Sequence, residues 1–301
     1  MQKFIRVFFF SVFSLMPFST QASAGLDFLK IVPSAREQAL AGVGVASSSG
    51  AAATYFNPAL MQNRGISGAL FSQNFWFMDT YASYAATNFN GEKSAVGISL
   101  YWLSVRDIPV RSSPTAEPDG YFNSQNAAIS LSYSRKMSER LTLSLTGKML
   151  YEKIYINDAT GFAGDISAAW RLPESPLSFG AALQNMGSMG KLLSESSELP
   201  TSFRLGAAYA FLLDGKGKEN TLLLELNHVS VFSDDSYQAL GVEYAFREFL
   251  WMRLGYLLGN DSRSVSFGFG VKYENFLFDY AYVPFTNELG SANVLTLQFL
   301  Y

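Results

Sequence analysis

The chain has 301 residues, of which 49% are hydrophobic, 15% aromatic and only 16% charged, with a formal net charge of -3 and a pI near 5.3. So few charges cannot clothe an ordinary water-soluble domain, and the lack of a basic excess excludes nucleic acid as an expected partner. The chain has no cysteine, so neither a disulfide framework nor a cysteine-linked lipid anchor is expected.

Residues 1–24 read as a secretory signal peptide. Lys3 and Arg6 precede the apolar run Val7 to Phe18, and Ala22-Ser23-Ala24 supplies a small-x-small cleavage site. The run is shorter than the roughly 20 residues a spanning helix needs, so the mature chain is expected to start at Gly25. No later apolar run would form a membrane helix, which leaves a closed β-barrel as the way to satisfy every backbone group in lipid.

Residues 25–65 form a second unit, rich in small side chains from Ala39 to Ala53. Small residues let backbone approach a surrounding wall closely. A short helix is plausible around Arg36 to Leu40, and Gly42, Gly44 and Gly50 oppose a long one. Pro58 disfavours α geometry at Asn57 and so presents the Asn side chain from an extended or turn backbone. Phe28-Leu29, Pro33-Ser34-Ala35-Arg36, the Ala/Gly-rich run and then Asn57-Pro58-Ala59-Leu60, taken in order, resemble the N-terminal segment of the PorV/PorQ branch of FadL-like outer-membrane proteins. The resemblance implies a hatch inside a fourteen-stranded barrel. Arg36, Asn57, Pro58 and Ala59 are the candidate hatch anchors, with Arg36 directed at a lumen carboxylate such as Glu225 or Glu243.

Residues 66–301 alternate with period two, the mark of strands. Leu141, Leu143, Leu145, Met149 and Tyr151 share one face, with Thr142, Ser144, Thr146, Lys148 and Glu152 on the other. Val265, Phe267, Phe269, Val271 and Tyr273 repeat the pattern. Fourteen strands are expected, starting near residues 66, 79, 93, 127, 140, 162, 176, 202, 219, 236, 250, 264, 277 and 291, and the even number suits a bacterial barrel. The fold class is therefore an all-β transmembrane antiparallel barrel with an N-terminal hatch, expected as a monomer in the bacterial outer membrane. Tight links are expected at Asn90-Gly91 (with type I′ chemistry), Ser138-Glu139, Pro173 to Pro176, Asp214 to Lys218, Arg247-Glu248 and Glu274-Asn275. The long ones, Ile108 to Asn126 and Met186 to Thr201, fall on the opposite side. Tyr133, Trp170, Tyr209, Tyr256 and Tyr282 are candidates for interfacial girdles.

By phase the inner face carries charges of both signs, among them Lys148, Glu152, Asp165, Arg171, Arg204, Arg247, Arg253, Lys272, Glu274 and Asp279. Such charges normally pair with one another or with a plug, which disfavours an open porin. Gly97 on the third strand, followed by Tyr101 and Trp102, marks a candidate lateral opening, since Gly in a strand often marks a bend and the resemblance implies a kinked third strand; the alternative is that Gly97 simply makes room for the hatch. The only histidine, His228, lies in phase with Leu222, Leu224 and Leu226 on the lipid face. A lipid hydrolase using His228 with a Ser on an adjacent strand is a remote alternative, so no catalytic residues are assigned. No cofactor or metal is expected, and Asp234-Asp235 and Asn260-Asp261 read as solvated loop tips with calcium as a weak alternative. Two functions follow from the resemblance. One is uptake of hydrophobic small molecules, such as long-chain fatty acids, past the hatch and out through the wall. The other is a component of type IX-like protein secretion or surface attachment, with secreted cargo as partner.

Overall fold

The computed structural model describes residues 26–301 except 64, 66, 77–78, 115, 214–219, 235, 287 and 289. The expected signal peptide, residues 1–24, lies outside the described residues. Short helical pieces come first: 3₁₀ turns at Asp27–Lys30, Gly50–Ala52 and Pro58–Leu60, with α1 (Ala35–Ala39) and α2 (Ala53–Phe56) between them. The strands that follow are β1 (Gly68–Phe75), β2 (Thr80–Asn90), β3 (Ser94–Val110), β4 (Gly120–Lys136), β5 (Leu141–Ile154), β6 (Asn157–Arg171) and β7 (Leu177–Met189). A small hairpin, β8 (Lys191–Leu192) and β9 (Glu195–Ser196), precedes β10 (Ser202–Leu212), β11 (Asn220–Val231), β12 (Tyr237–Phe246), β13 (Leu250–Leu258), β14 (Val265–Tyr273), β15 (Phe276–Pro284) and β16 (Ser291–Leu300).

Fourteen of these strands, all but β8 and β9, close into an antiparallel barrel in chain order, with β1 pairing β16 from Gly68↔Leu300 to Phe75↔Asn293. Closure leaves no sheet edge and gives every spanning residue a ladder partner, as a hydrocarbon surround demands. The period-two pattern sorts the faces. On β5, Leu143, Leu145 and Met149 are exposed to the outside, whereas Ser144, Thr146, Leu150 and Glu152 are buried inside. On β16, Leu295, Leu297 and Phe299 face out while Val294 and Thr296 face in. All five candidate girdle aromatics face outward. Tyr133, Trp170 and Tyr209 lie toward one rim and Tyr256 and Tyr282 toward the other, as an interfacial belt requires.

The expected tight links that are described, residues 91–93, 137–140, 172–176, 247–249 and 274–275, lie on one rim; a two-residue link, Tyr155 and Ile156, lies on the other. Residues 214–218, also expected as a tight link, lie outside the described residues. Neither Asn90 nor Gly91 has a positive φ, so type I′ geometry is not adopted there; left-handed backbone occurs instead at Arg247 and Glu248, φ 51° and 50°. On the opposite rim the expected Ile108 to Asn126 loop is largely strand. β3 and β4 stay paired as far as Val110↔Gly120, past a register shift between Val105 and Ile108. β4 therefore begins seven residues earlier than expected. β6 likewise begins at Asn157 rather than near 162, leaving Tyr155 and Ile156 as the link from β5. The physical reason is common to both: above the bilayer both faces of the hairpin meet water, so alternation fades while the ladder continues.

Candidate functional site: the lumen and its N-terminal segment

Residues 26–61 are buried against the inner faces of strands around the barrel. Helix α1 forms at Ala35–Ala39, within a residue of the position expected, and its neighbours Ala39 to Val45 run along the wall as a strap. Where the strap passes, the wall carries glycine. A Cβ at Gly180 on β7 would lie 1.8 Å from the Val45 carbonyl oxygen, and one at Gly255 on β13 would lie 2.2 Å from the Ala41 nitrogen. At Gly206, Gly241 and Gly268 a Cβ would meet the side chains of Val45, Val43 and Ala39, at 2.5, 2.6 and 2.4 Å. This glycine track was not visible from the sequence, because it depends on what crosses the lumen opposite each strand.

Asn57 is fully buried on extended backbone, φ −162° and ψ 93°, immediately before the Pro58–Leu60 turn. Its Nδ2 donates to the Val45 carbonyl at 2.8 Å and to the Ala168 carbonyl on β6 at 2.9 Å, and its Oδ1 accepts from the Ala59 N–H at 3.1 Å. One amide thus ties a local turn, the strap and the wall together. Pro58 fixes the turn and contributes no donor, and Ala59 supplies the N–H that orients the Asn oxygen.

Arg36 makes the second tie. Its Nε and Nη2 donate to the two carboxylate oxygens of Glu243 on β12, at 2.9 and 3.0 Å, a bidentate fork. Of the two carboxylates expected as its partner, Glu243 is the one engaged; Glu225 instead accepts from the Ala46 N–H at 3.0 Å. The network continues beyond what phase alone could reveal. Arg253 donates to Glu243 and to Asp279, both at 2.6 Å, and Glu37 accepts from Arg36 at 3.0 Å. A buried ion pair is weak evidence of net stability, yet removing one partner leaves an uncompensated charge at a cost of roughly 3–5 kcal/mol. The network therefore fixes where the segment sits. Lys148 pairs with Asp165 at 2.8 Å. Three members of the expected inner set do not face the lumen core: Arg171 is exposed at its strand end, and Arg247 and Glu274 occupy the rim turns with positive φ.

At Gly97, Tyr101 and Trp102, the candidate lateral opening, β3 stays paired on both sides, and its register shift lies farther along, between Val105 and Ile108. The ladder along β3 is continuous, from Ser94↔Arg135 to Val105↔Ser124 on one side and from Asn90↔Ala95 to Thr80↔Val105 on the other. Gly97 exists for clearance, since a Cβ there would meet Thr54 Cγ2 at 2.5 Å and Met61 Sδ at 2.6 Å. Tyr101 points inward, donating to the Ile31 carbonyl at 2.9 Å, while Trp102 is 47% exposed on the outer wall. His228 also faces out, opposite Leu205 and Gln238. Among the described residues no cluster of acidic or imidazole side chains could hold a metal.

Above the segment, at the rim with the longer links, a cavity of about 760 Å³ opens as a vestibule. Its floor is Phe28, Leu29 and Ile31, part of a cluster with Leu103 and Val105 of β3. Below it the aromatic rings of Tyr55, Tyr84 and Tyr101 pack edge to face, with centroids 5.5 to 6.3 Å apart, and close the way down.

Residues 19–235, more than two thirds of the chain, match the family described as "Type IX secretion system protein PorV". A search of curated proteins finds no match. Among solved structures the chain is similar to the CymD monoaromatic hydrocarbon channel, at 12% identity and a TM-score of 0.60 over 89% of this chain and 96% of that one. It is similar to the toluene transporter TodX of P. putida, at 12% identity and 0.58 over 89% and 96%. A FadL homologue of Pseudomonas aeruginosa aligns at 10% identity and 0.54 over 89% and 98%. At these identities the likeness is one of fold. A closed fourteen-stranded barrel of this kind is a protein of the bacterial outer membrane.

Proposed function

Because the chain belongs to the family of the type IX secretion system protein PorV, we propose that it serves protein secretion or surface attachment as a sealed barrel, offering partners its loop rim rather than an open pore. The carrying observation is the filled lumen: Asn57 and Arg36 bind the N-terminal segment to β6 and β12, and the wall along β3 is closed. In this reading residues 26–65 are a hatch that keeps the membrane tight while the loop rim handles secreted cargo outside the cell. The expected uptake of hydrophobic small molecules stays as a second reading, favoured by the apolar vestibule floor. There the same hatch, anchored through Arg36, Asn57, Pro58 and Ala59, gates passage.

The test is deletion of the gene in its own host, followed by mass spectrometry of the medium and the cell surface and by uptake of labelled fatty acid. Retention of secreted proteins in the periplasm with unchanged uptake supports the secretion reading. Normal secretion with lost uptake overturns it in favour of the second.

A further inference from the structure

On the outer wall, across β1 to β4, the face turned to lipid carries a depression of about 470 Å³. Small side chains make the hollow: Ser83 and Ala85 on β2 stand between Phe71 on β1 and Leu100 and Trp102 on β3. Its polarity runs one way along the barrel. Leu100 and Trp102 line the end toward the bilayer midplane, and Ser104, Arg106 and Asn123 line the end at the loop rim. Arg106 lies six positions beyond Leu100, about 20 Å of strand. At a tilt of roughly 40° that is about 15 Å of depth, the share of one leaflet in a hydrocarbon core roughly 30 Å thick. Arg106 reaches this wall because β3 bulges: Arg106 and Asp107 together face the single residue Asn123, between the pairs Val105↔Ser124 and Ile108↔Phe122, and Asp107 takes a φ of 54°. A bulge re-aims a side chain. Here the guanidinium lies 4.9 Å from the centroid of the Tyr81 ring and forms no ion pair among the described residues. The Asp107 N–H donates to Asn123 Oδ1 at 3.2 Å, which leaves the Asn123 Nδ2 donors over. The deeper polar pair is closed on itself, Ser83 donating to Gln73 Oε1 at 2.7 Å across the β1–β2 ladder. Cationic and donor capacity is thus left at the rim end.

We propose that this depression seats one membrane lipid with a negatively charged phosphate head, an acyl chain lying along Phe71, Leu100 and Trp102 and the phosphate meeting Arg106 and Asn123. A guanidinium fork matches phosphate oxygens in both geometry and sign, and the Tyr81 face steadies the cation. A wholly apolar occupant would fill the hollow and leave the Arg106 charge unmatched. The gradient from apolar to cationic over the depth of one leaflet is that of a lipid. The occupant comes from the bilayer around the barrel and not by way of the lumen, since the depression lies outside the continuous ladders of β1 to β4.

The experiment uses the full barrel in phosphatidylcholine vesicles that carry a minor fraction of a lipid with brominated chains, either anionic phosphatidylglycerol or uncharged diacylglycerol. Bromine quenches tryptophan fluorescence on contact. The Trp102 signal, taken as the difference from a Trp102→Phe barrel, therefore reads the occupant of the depression. Trp170, which faces outward toward the turn rim, is read in the same way as a reference for ordinary lipid. One basic residue at a membrane surface predicts that phosphatidylglycerol quenches Trp102 at an about fivefold lower fraction than diacylglycerol does, with no such preference at Trp170. Arg106→Gln should abolish the preference and Arg106→Lys should keep most of it, with heat-modifiability confirming the folded barrel. Equal quenching of Trp102 by the two lipids overturns the proposal and leaves an ordinary apolar belt, as does an unaltered preference in Arg106→Gln. Absence of quenching by either lipid overturns it in favour of a second barrel covering the depression. Loss of the preference on adding inorganic phosphate at constant ionic strength overturns the lipid as the source of the anion. These readings concern the outer wall alone and do not depend on the secretion phenotype or on uptake.

Discussion

Substituting Asn57 by Ala removes one of the ties that hold the N-terminal segment in the lumen, beside those of Arg36, Glu225, Ser266, Tyr101 and Gln184. The amide makes two donations, to Val45 and Ala168, and one acceptance, from Ala59, with no exposure to water. At about 0.5–1.5 kcal/mol net for each, the three bonds contribute on the order of 3 kcal/mol. Only the Ala168 bond joins segment to wall directly, and the other two preorganise the amide that makes it. Loss of about 1–3 kcal/mol from the seated state raises the displaced fraction roughly 5- to 150-fold. The barrel itself, laddered along fourteen strands, should stay intact. Hydrogen exchange in residues 26–65 and entry of small hydrophobic dyes into whole cells measure the displacement, and gel heat-modifiability checks the barrel. Faster exchange in the segment and raised dye entry are expected in Asn57→Ala. If both stay at the unmutated level, the side chain merely caps the Pro58–Leu60 turn and the gating role of the hatch is lost.

Two further substitutions weigh the glycine track against the third strand. Gly180→Ala puts a methyl against backbone, 1.8 Å from the Val45 carbonyl, whereas Gly97→Ala meets Thr54 and the movable end of Met61. Overpacking costs about 1–3 kcal/mol, so Gly180→Ala should lower the thermal midpoint in detergent more than Gly97→Ala does, and equal midpoints would contradict the assigned close approach. Orientation is tested by Ser113→Cys and Ser196→Cys on the loop rim and Glu248→Cys on the turn rim. An impermeant maleimide added to intact cells should label the first two, and labelling of Glu248→Cys alone would invert the barrel.

What could be read from the sequence follows from the solvent each segment meets. Within the bilayer one face must be apolar, so Leu143, Leu145 and Met149 on β5, or Leu295, Leu297 and Phe299 on β16, announce both strand and phase. That is why all fourteen barrel strands could be anticipated, whereas the two-residue link at Tyr155 and Ile156 could not. Toward the loop rim Gly120 to Gln125 and Asn157 to Gly161 lack a sustained apolar alternation and read as loop, although they are paired. Lumen partners were half legible. Phase put Glu225 and Glu243 inside, but only the register of β11 and β12 against the strap decides that Arg36 meets Glu243 and Ala46 meets Glu225. Gly97 carried two readings, because a missing side chain looks the same whether the backbone bends or a neighbour such as Thr54 needs the room, and only the packing shows Thr54 and Met61 in that space. Arg204 stood on the inner face by phase, while its lack of an acceptor emerges only once its surroundings are in place.

The glycine track bears on how such a molecule is made. The strap runs against β7 and β13 backbone to backbone and against β10, β12 and β14 through its own Val45, Val43 and Ala39 side chains, and it precedes all of these strands in the chain. A ring already closed would offer little clearance for a segment seated this tightly, so the fit favours strands that pair around it. On that order the N-terminal segment is a mandrel for the barrel, and defects along the track would surface as failed assembly in the membrane before they surfaced as any change in what the finished protein does.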